Sequence, residues 1–140
     1  MPLVPADNYY RSSFLKAIRT QTSLPVSISE TAICRVAALI GAWQEYEPHV
    51  PLLSKANPAG LEDLLSHMPK PAGEAPPGSI DERHAAVLKF ADAVTSHGKV
   101  PDETFEELRQ AGFVDREIVE ITATVSAYNC VCRFVLALDI

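Results

Sequence analysis

Prolines constrain this chain more than any other residue type, because seven of its eleven fall within thirty consecutive residues. They occupy positions 48, 51, 58, 69, 71, 76 and 77. Proline lacks the backbone N–H that helix interiors and central strands use, so the stretch 48–77 cannot be one unbroken helix or a central strand. We therefore expect breaks here, including a loop over residues 69–79.

Outside this stretch, apolar residues recur with the period of helices and not of strands. Two Ser-x-x-Glu sequences, at 27–30 and 79–82, have the spacing of capping boxes that open helices. The predicted helices span residues 9–20, 27–41, 61–68, 79–98, 101–110 and 115–138. Asp115 is expected to cap the last of them. At 140 residues, the pattern predicts a single all-α domain over residues 1–140 with about six helices.

Charge and composition exclude several classes of function. The net charge is −6, and the excess of acidic residues lies entirely in the second half, which disfavours a nucleic-acid partner. The N-terminus lacks the pattern of a signal peptide, and the longest apolar run, over residues 36–43, is too short to cross a bilayer. The three cysteines lie in apolar stretches, which is typical of buried thiols in a reducing compartment. We expect a cytoplasmic protein without a membrane partner.

The last predicted helix is apolar nearly all round. Between residues 118 and 138 only Glu120 and Arg133 are charged. A chain of this size can hardly surround one helix on all sides, so this pattern indicates a subunit interface. The alternative is a central core helix enclosed by the other five.

Glu45 and His49 are the first candidates for chemistry, because they lie four residues apart and adjoin Trp43 and Tyr46. An acid beside an imidazole in apolar surroundings suits proton transfer. If the chain reverses near Gly41, a helical hairpin forms and Glu30 comes opposite His49. The alternatives are an ordinary surface pair and a capping carboxylate at position 30.

Other polar residues have ordinary interpretations. We expect His67, His84 and His97 to be solvated, and Cys130 and Cys132 to be buried packing residues. The sequence has no glycine-rich phosphate loop, no His-Glu-x-x-His motif and no Cys-x-x-Cys pair, so no metal site is predicted.

The stretch 30–53 resembles the carboxymuconolactone decarboxylase family, which is related to the AhpD-type alkylhydroperoxidases. The matching residues are Glu30, then Ala37-Ala38-Leu39-Ile40-Gly41-Ala42, then Gln44-Glu45-Tyr46-Glu47-Pro48-His49. The second half resembles longer members at residues 82–92 and 115–122, at Tyr128-Asn129 and at Arg133. One departure is Pro48, from which we expect the second hairpin helix to begin near Glu47.

The resemblance implies a cofactor-independent lyase with an AhpD-like helical fold that assembles as a homotrimer or homohexamer. The peroxidase branch would need cysteines at Ala42 and Glu45, whereas the decarboxylase branch keeps Glu30, Glu45 and His49, which are the predicted catalytic residues. The implied substrate is a cyclic or aromatic carboxylic acid, such as a lactone or polyketide acid. Its predicted binding residues are Arg133, Arg35, Tyr46, Trp43, Asn129 and Tyr128.

Decarboxylation leaves an enolate that must be stabilised and protonated, which His49 could do, while an arginine holds the carboxylate. For Arg133, an ion pair across a subunit interface is an equal alternative. Isomerisation and hydration use related proton transfers and stay open. Two further hypotheses are a peroxide-reducing enzyme that uses Cys34 and a non-catalytic helical assembly protein.

Overall fold

The computed structural model describes residues 6–140, with side chains described from residue 13 onward. This part of the chain forms seven α-helices and no strand. The helices are α1 (Ala6–Thr20), α2 (Val26–Ile40), α3 (Trp43–Ala56), α4 (Leu61–His67), α5 (Glu82–His97), α6 (Asp102–Gln110) and α7 (Asp115–Leu138). The all-α prediction is confirmed, with one helix more than expected.

Helix α2 lies in the middle of the bundle, with α3, α5 and α7 packed around it. Ten of its fifteen residues are buried. The larger apolar cluster joins α2 to α1, α5 and α7, while a smaller one joins it to α3 and α4. Burying apolar surface contributes about 25 cal/mol per Å², so these two clusters hold the hairpin of α2 and α3 in place.

Gly41 makes the reversal between α2 and α3. Its φ of 79° is left-handed, and its N–H closes the end of α2 on the carbonyl of Ala38. A Cβ here would meet nothing within 4 Å, so the requirement for glycine comes from the backbone angle and not from crowding. The predicted helical hairpin is therefore present, with its turn at the predicted residue.

The prediction that the second hairpin helix begins near Glu47 is wrong, since α3 begins at Trp43 and contains Pro48 and Pro51. Both prolines lie on the exposed face of α3, opposite the buried positions Glu45 and His49. The carbonyls that lose their N–H partners therefore face the solvent, and the φ of proline fits a helix.

The predicted caps differ from the structure as well. Helix α2 begins at Val26, so Ser27 and Glu30 lie inside it and form no capping box. At α5 the side chain of Asp81 accepts a hydrogen bond from the backbone N–H of His84, in place of the predicted box at 79–82. Asp115 is the first residue of α7 and not its cap.

Helix α7 packs against α1, α2, α5 and α6. By length and composition alone it could cross a membrane, and in this structure its buried residues face the bundle. An outer stripe remains, in which Val119 is 67% and Phe134 43% exposed. Helix α7 thus packs into the bundle on one side and exposes an apolar stripe on the other.

Candidate active site

Glu30 and His49 form the centre of the candidate site. Oε2 of Glu30 lies 2.7 Å from Nδ1 of His49, and both residues are only 6% exposed. Glu30 comes from the first third of α2 and His49 from the middle of α3, so the hairpin brings them together. This is the juxtaposition that the reversal near Gly41 predicts, and it means that Glu30 orients the imidazole and does not cap a helix.

Tyr128 on α7 approaches the other side of the imidazole. Its hydroxyl lies 3.4 Å from Nε2 of His49, and the two rings meet edge to face at 5.3 Å. Burial raises the pKa of Tyr128, and the carboxylates of Glu30 and Glu45 raise it further against the opposing charge of Arg19. The phenol therefore stays protonated at neutral pH and can donate to Nε2.

Glu45 is buried one turn before His49 on the same face of α3. The sequence predicted it as the acid beside the imidazole, whereas the carboxylate that binds Nδ1 belongs to Glu30. Glu45 therefore contributes a second buried acidic group near the phenol of Tyr128.

Tyr46 and Trp43 lie on α3 near the turn that follows α2. Tyr46 is half-buried, and its pKa is raised by burial and then by the thiol of Cys34. Trp43 is 46% exposed and packs edge-on against Tyr46 at 5.3 Å. The structure thus places Tyr46 beside Cys34 of α2 and Trp43 on the exposed side of Tyr46.

Cys34 lies one helical turn after Glu30 and is fully buried. Burial, and then the nearby charge of Glu30, raise the pKa of its thiol to about 12. A thiolate is the reactive form of cysteine, so this thiol is almost entirely unreactive at neutral pH.

Arg35 is not available for a substrate, which corrects the prediction that it binds one. Its guanidinium is fully buried and forms a two-pronged ion pair with Asp92, at 2.6 Å from Nε and 3.0 Å from Nη2. The remaining donors bind the carbonyls of His67, Met68, Lys70 and Pro71. The loop 69–79 is therefore tied to α2 and α5 instead of lying loose.

Arg133 and Asn129 also lie apart from His49. Asn129 is one residue and Arg133 five residues beyond Tyr128 on α7, so Arg133 points about 140° away from Tyr128 around the helix axis. Asn129 donates to the hydroxyl of Thr95 at 3.0 Å, and Arg133 donates to the carbonyl of Thr95 at 3.2 Å. Among the described contacts, Tyr128 is thus the predicted binding residue that meets His49.

The predictions for His67, His84 and Cys130 are wrong. His67 and His84 are buried, not solvated, because α4 and the start of α5 pack inward, while His97 is exposed as predicted. Cys130 is exposed on the outer stripe of α7, whereas Cys132 is buried as predicted. In the described part of the chain, no group of three His, Cys, Asp or Glu residues is arranged to hold a metal ion.

Sequence reasoning missed two partners. In the sequence, Asp92 is a single acidic residue within a predicted helix. The one signal that it is buried is its position four residues after Leu88, in the apolar stripe of that helix. The link between Tyr128 and His49 spans 79 positions and leaves no local signal.

The fold is AhpD-like. It superposes on a protein from Agrobacterium tumefaciens that is described as of unknown function and provisionally as the antioxidant defence protein AhpD, with a TM-score of 0.79, 22% identity, and coverage of 96% of this chain and 88% of that one. It also matches an uncharacterised peroxidase-related protein from a Silicibacter species, with a TM-score of 0.73, 18% identity, and coverage of 92% and 66%.

At these identities the likeness concerns the fold alone. No family model matches the sequence, and no curated protein matches it significantly.

Proposed function

We propose that this protein is a cofactor-independent enzyme that transfers protons by general acid–base catalysis through His49. The observation that carries this proposal is the buried hydrogen bond of 2.7 Å between Glu30 and Nδ1 of His49, with the hydroxyl of Tyr128 on the opposite nitrogen. An imidazole held between a carboxylate and a phenol has one fixed tautomer, and Nε2, on the side of the phenol, is the nitrogen that exchanges a proton.

The arrangement of Glu30, His49 and Tyr128, in contact in that order, determines which proton transfers are possible. The carboxylate of Glu30 accepts the hydrogen bond from Nδ1–H and stabilises positive charge on the ring. Nε2 can then take a proton from an acidic C–H or O–H group, or return one to it. Tyr128, kept neutral by burial, supplies a hydrogen bond to a developing oxyanion or to Nε2.

Within this class we propose decarboxylation of a cyclic or aromatic carboxylic acid, the reaction that the resemblance at residues 30–53 implies. The bond to the carboxylate carbon breaks, CO₂ leaves, and the electron pair remains as an enolate. The imidazolium of His49 then donates the proton from Nε2 to the enolate, and water restores that proton. Isomerisation or hydration would use the same groups.

The substrate carboxylate needs a cation, and Arg35 and Arg133 are placed elsewhere. Among the described residues, Arg19 on α1 is the cation whose charge acts on Tyr128. Arg19 is therefore the first cation to test, and binding of the substrate carboxylate there predicts that Arg19→Gln raises KM more than it lowers kcat.

A panel of β-keto and vinylogous acids, assayed for release of CO₂ without added cofactor, tests the proposal. We expect His49→Ala and Glu30→Gln to lower kcat at least a hundredfold, and Tyr128→Phe about tenfold. Lys55→Gln, at the exposed end of α3, is the matched control and should leave kcat unchanged. Unchanged turnover in both His49→Ala and Glu30→Gln would refute acid–base catalysis here.

Peroxide reduction is the second candidate, because both structural neighbours carry names that refer to antioxidant defence or peroxidases. In this chain the reaction would depend on Cys34, since Ala42 and Glu45 replace the cysteines of that branch. The raised pKa of Cys34 opposes this function. Consumption of hydrogen peroxide in the presence of dithiothreitol, lost in Cys34→Ser and kept in His49→Ala, would favour it over the first proposal. Inactivity of the wild-type protein in both assays would favour the third hypothesis, a non-catalytic helical assembly protein.

We further propose that the protein forms a homotrimer or homohexamer through the outer stripe of α7. The supporting observation is that Val119 and Phe134 face outward on the longest helix. The three free cysteines suit a cytoplasmic location.

A further inference from the structure

A groove lies on the face of the molecule where α2 ends, and none of Glu30, Glu45, His49 and Tyr128 lines it. Its volume is about 470 Å³. Its lining residues are Ala38, Leu39, Ile40, Pro69, Lys70, Pro71, Ala72, Thr95, Ser96 and Arg133. Six of these ten are apolar, two are hydroxyl residues, and two are cations.

The charge of this groove is opposite to that of the protein. The chain has a net charge of −6, yet the groove contains Lys70 and Arg133 and no acidic residue. In the described part of the chain, neither cation forms an ion pair with a carboxylate. Two positive groups without counter-charges attract an anion.

The guanidinium of Arg133 is held in place by neutral oxygen atoms, which leave its positive charge uncompensated. Nη2 donates to the carbonyl of Thr95 at 3.2 Å and lies 3.4 Å from Oδ1 of Asn129, which itself is fixed by a hydrogen bond to the hydroxyl of Thr95. These contacts leave most of the five guanidinium donors free for a ligand. A guanidinium held in this way binds a carboxylate through two parallel hydrogen bonds.

The opposite wall is fixed by Arg35. Its guanidinium binds the carbonyls of Met68 and Lys70 at 2.8 Å and that of Pro71 at 3.2 Å, and the charge of Arg35 is balanced internally by Asp92. Prolines 69 and 71 stiffen the same segment. The wall that carries Lys70 is therefore ordered before a ligand arrives, which reduces the entropic cost of binding.

We propose that this groove is a binding site for a small organic carboxylate with an apolar body, separate from the site at His49. The carboxylate lies between Arg133 and Lys70, and the apolar body lies against Leu39, Ile40 and Pro71. Because no catalytic group lines the groove, a molecule bound there is a ligand and not a reactant.

NMR titration of the full chain with benzoate tests this proposal. Benzoate should shift the amide signals of residues 38–40, 70–72 and 95–96, with saturation at millimolar concentration. Benzyl alcohol, which has the ring without the charge, and inorganic phosphate, which has charge without the ring, should each bind at least about tenfold more weakly.

Variants locate the site. Arg133→Gln and Lys70→Gln should each weaken benzoate binding about tenfold, whereas Lys55→Gln, an exposed lysine outside the groove, should not. His49→Gln should leave the groove signals unchanged even if it abolishes catalysis, so the two proposals can fail separately. Equal binding of benzyl alcohol or phosphate, or affinity unaltered by Arg133→Gln, would overturn the assignment. Loss of the groove shifts in His49→Gln would overturn it as well.

Discussion

Replacing Asp92 by asparagine removes the carboxylate that neutralises the buried guanidinium of Arg35. The carboxylate accepts two hydrogen bonds from Arg35, at 2.6 and 3.0 Å, and a third from the backbone N–H of Gly73 at 2.9 Å. Asparagine has the same shape but no charge, and its amide N–H groups would face those of Arg35. The variant therefore isolates the electrostatic part of the interaction from any cavity.

The expected loss is about 3 kcal/mol in the free energy of unfolding. Breaking a buried ion pair by removing one partner costs about 3–5 kcal/mol, because the other charge stays buried without compensation. The lower end applies here, since carbonyl oxygens, including those of Met68 and Lys70, still accept from Arg35. With a urea m-value of about 1.5 kcal/mol per M, this loss corresponds to a midpoint lower by about 2 M.

Urea unfolding followed by circular dichroism measures this shift. The matched control is Lys89→Gln, also on α5, which breaks an exposed pair with Glu107 of 2.8 Å and should cost less than about 1 kcal/mol. In Asp92→Asn the amide of Gly73 should also lose its protection from hydrogen exchange. A midpoint shift no larger than that of Lys89→Gln would show that the ion pair does not hold the loop, and the reasoning would be refuted.

Adding Arg35→Met to Asp92→Asn gives a second check. Arg35→Met removes the charge that Asp92→Asn leaves uncompensated. It should therefore lower the free energy of unfolding less in the Asp92→Asn variant than in the wild type, with a coupling energy of about 1.5 kcal/mol or more. Additive losses would contradict a direct interaction between the two side chains.

Three further predictions concern other parts of the molecule. Nitrogen-15 NMR should find the proton of neutral His49 on Nδ1, and Glu30→Gln should redistribute it between the two nitrogens; an unchanged tautomer would contradict the role of Glu30. Burial, and then the charge of Arg35, lower the pKa of His67 in the folded protein. The unfolded chain therefore binds a proton at His67 more readily than the folded protein does. The free energy of unfolding should fall as the pH decreases below about 6.5. In His67→Gln the urea midpoint should change less between pH 7.5 and pH 5 than in the wild type. An unaltered change would show that other groups cause the pH dependence of stability. Sedimentation should show a species larger than 15.2 kDa that Phe134→Glu dissociates, and a wild-type monomer at micromolar concentration would refute the interface on α7.

Local patterns in the sequence determine the helices, because apolar periodicity and glycine act over a few residues. They predict an all-α chain, the reversal at Gly41 and, through it, the approach of Glu30 to His49. They fail where two local rules compete. Pro48 suggests a helix start, yet α3 begins five residues earlier, because the turn at Gly41 lets the backbone N–H groups of Glu45 and Tyr46 bond to the carbonyl of Ala42. The two prolines are tolerated because they lie on the exposed face, where water can satisfy the carbonyls that lose an N–H partner.

Contacts between distant residues are decided only by tertiary structure. Arg35 looks like a free cation in the sequence, and its role depends on Asp92, 57 positions away. Tyr128 reaches His49 across 79 positions, whereas Arg133 lines a groove away from His49 because it leaves α7 on another side. The sequence by itself thus determined which groups can carry protons or charge. Packing decided which of them are buried together, because burial and pairing depend on neighbours that no local pattern encodes.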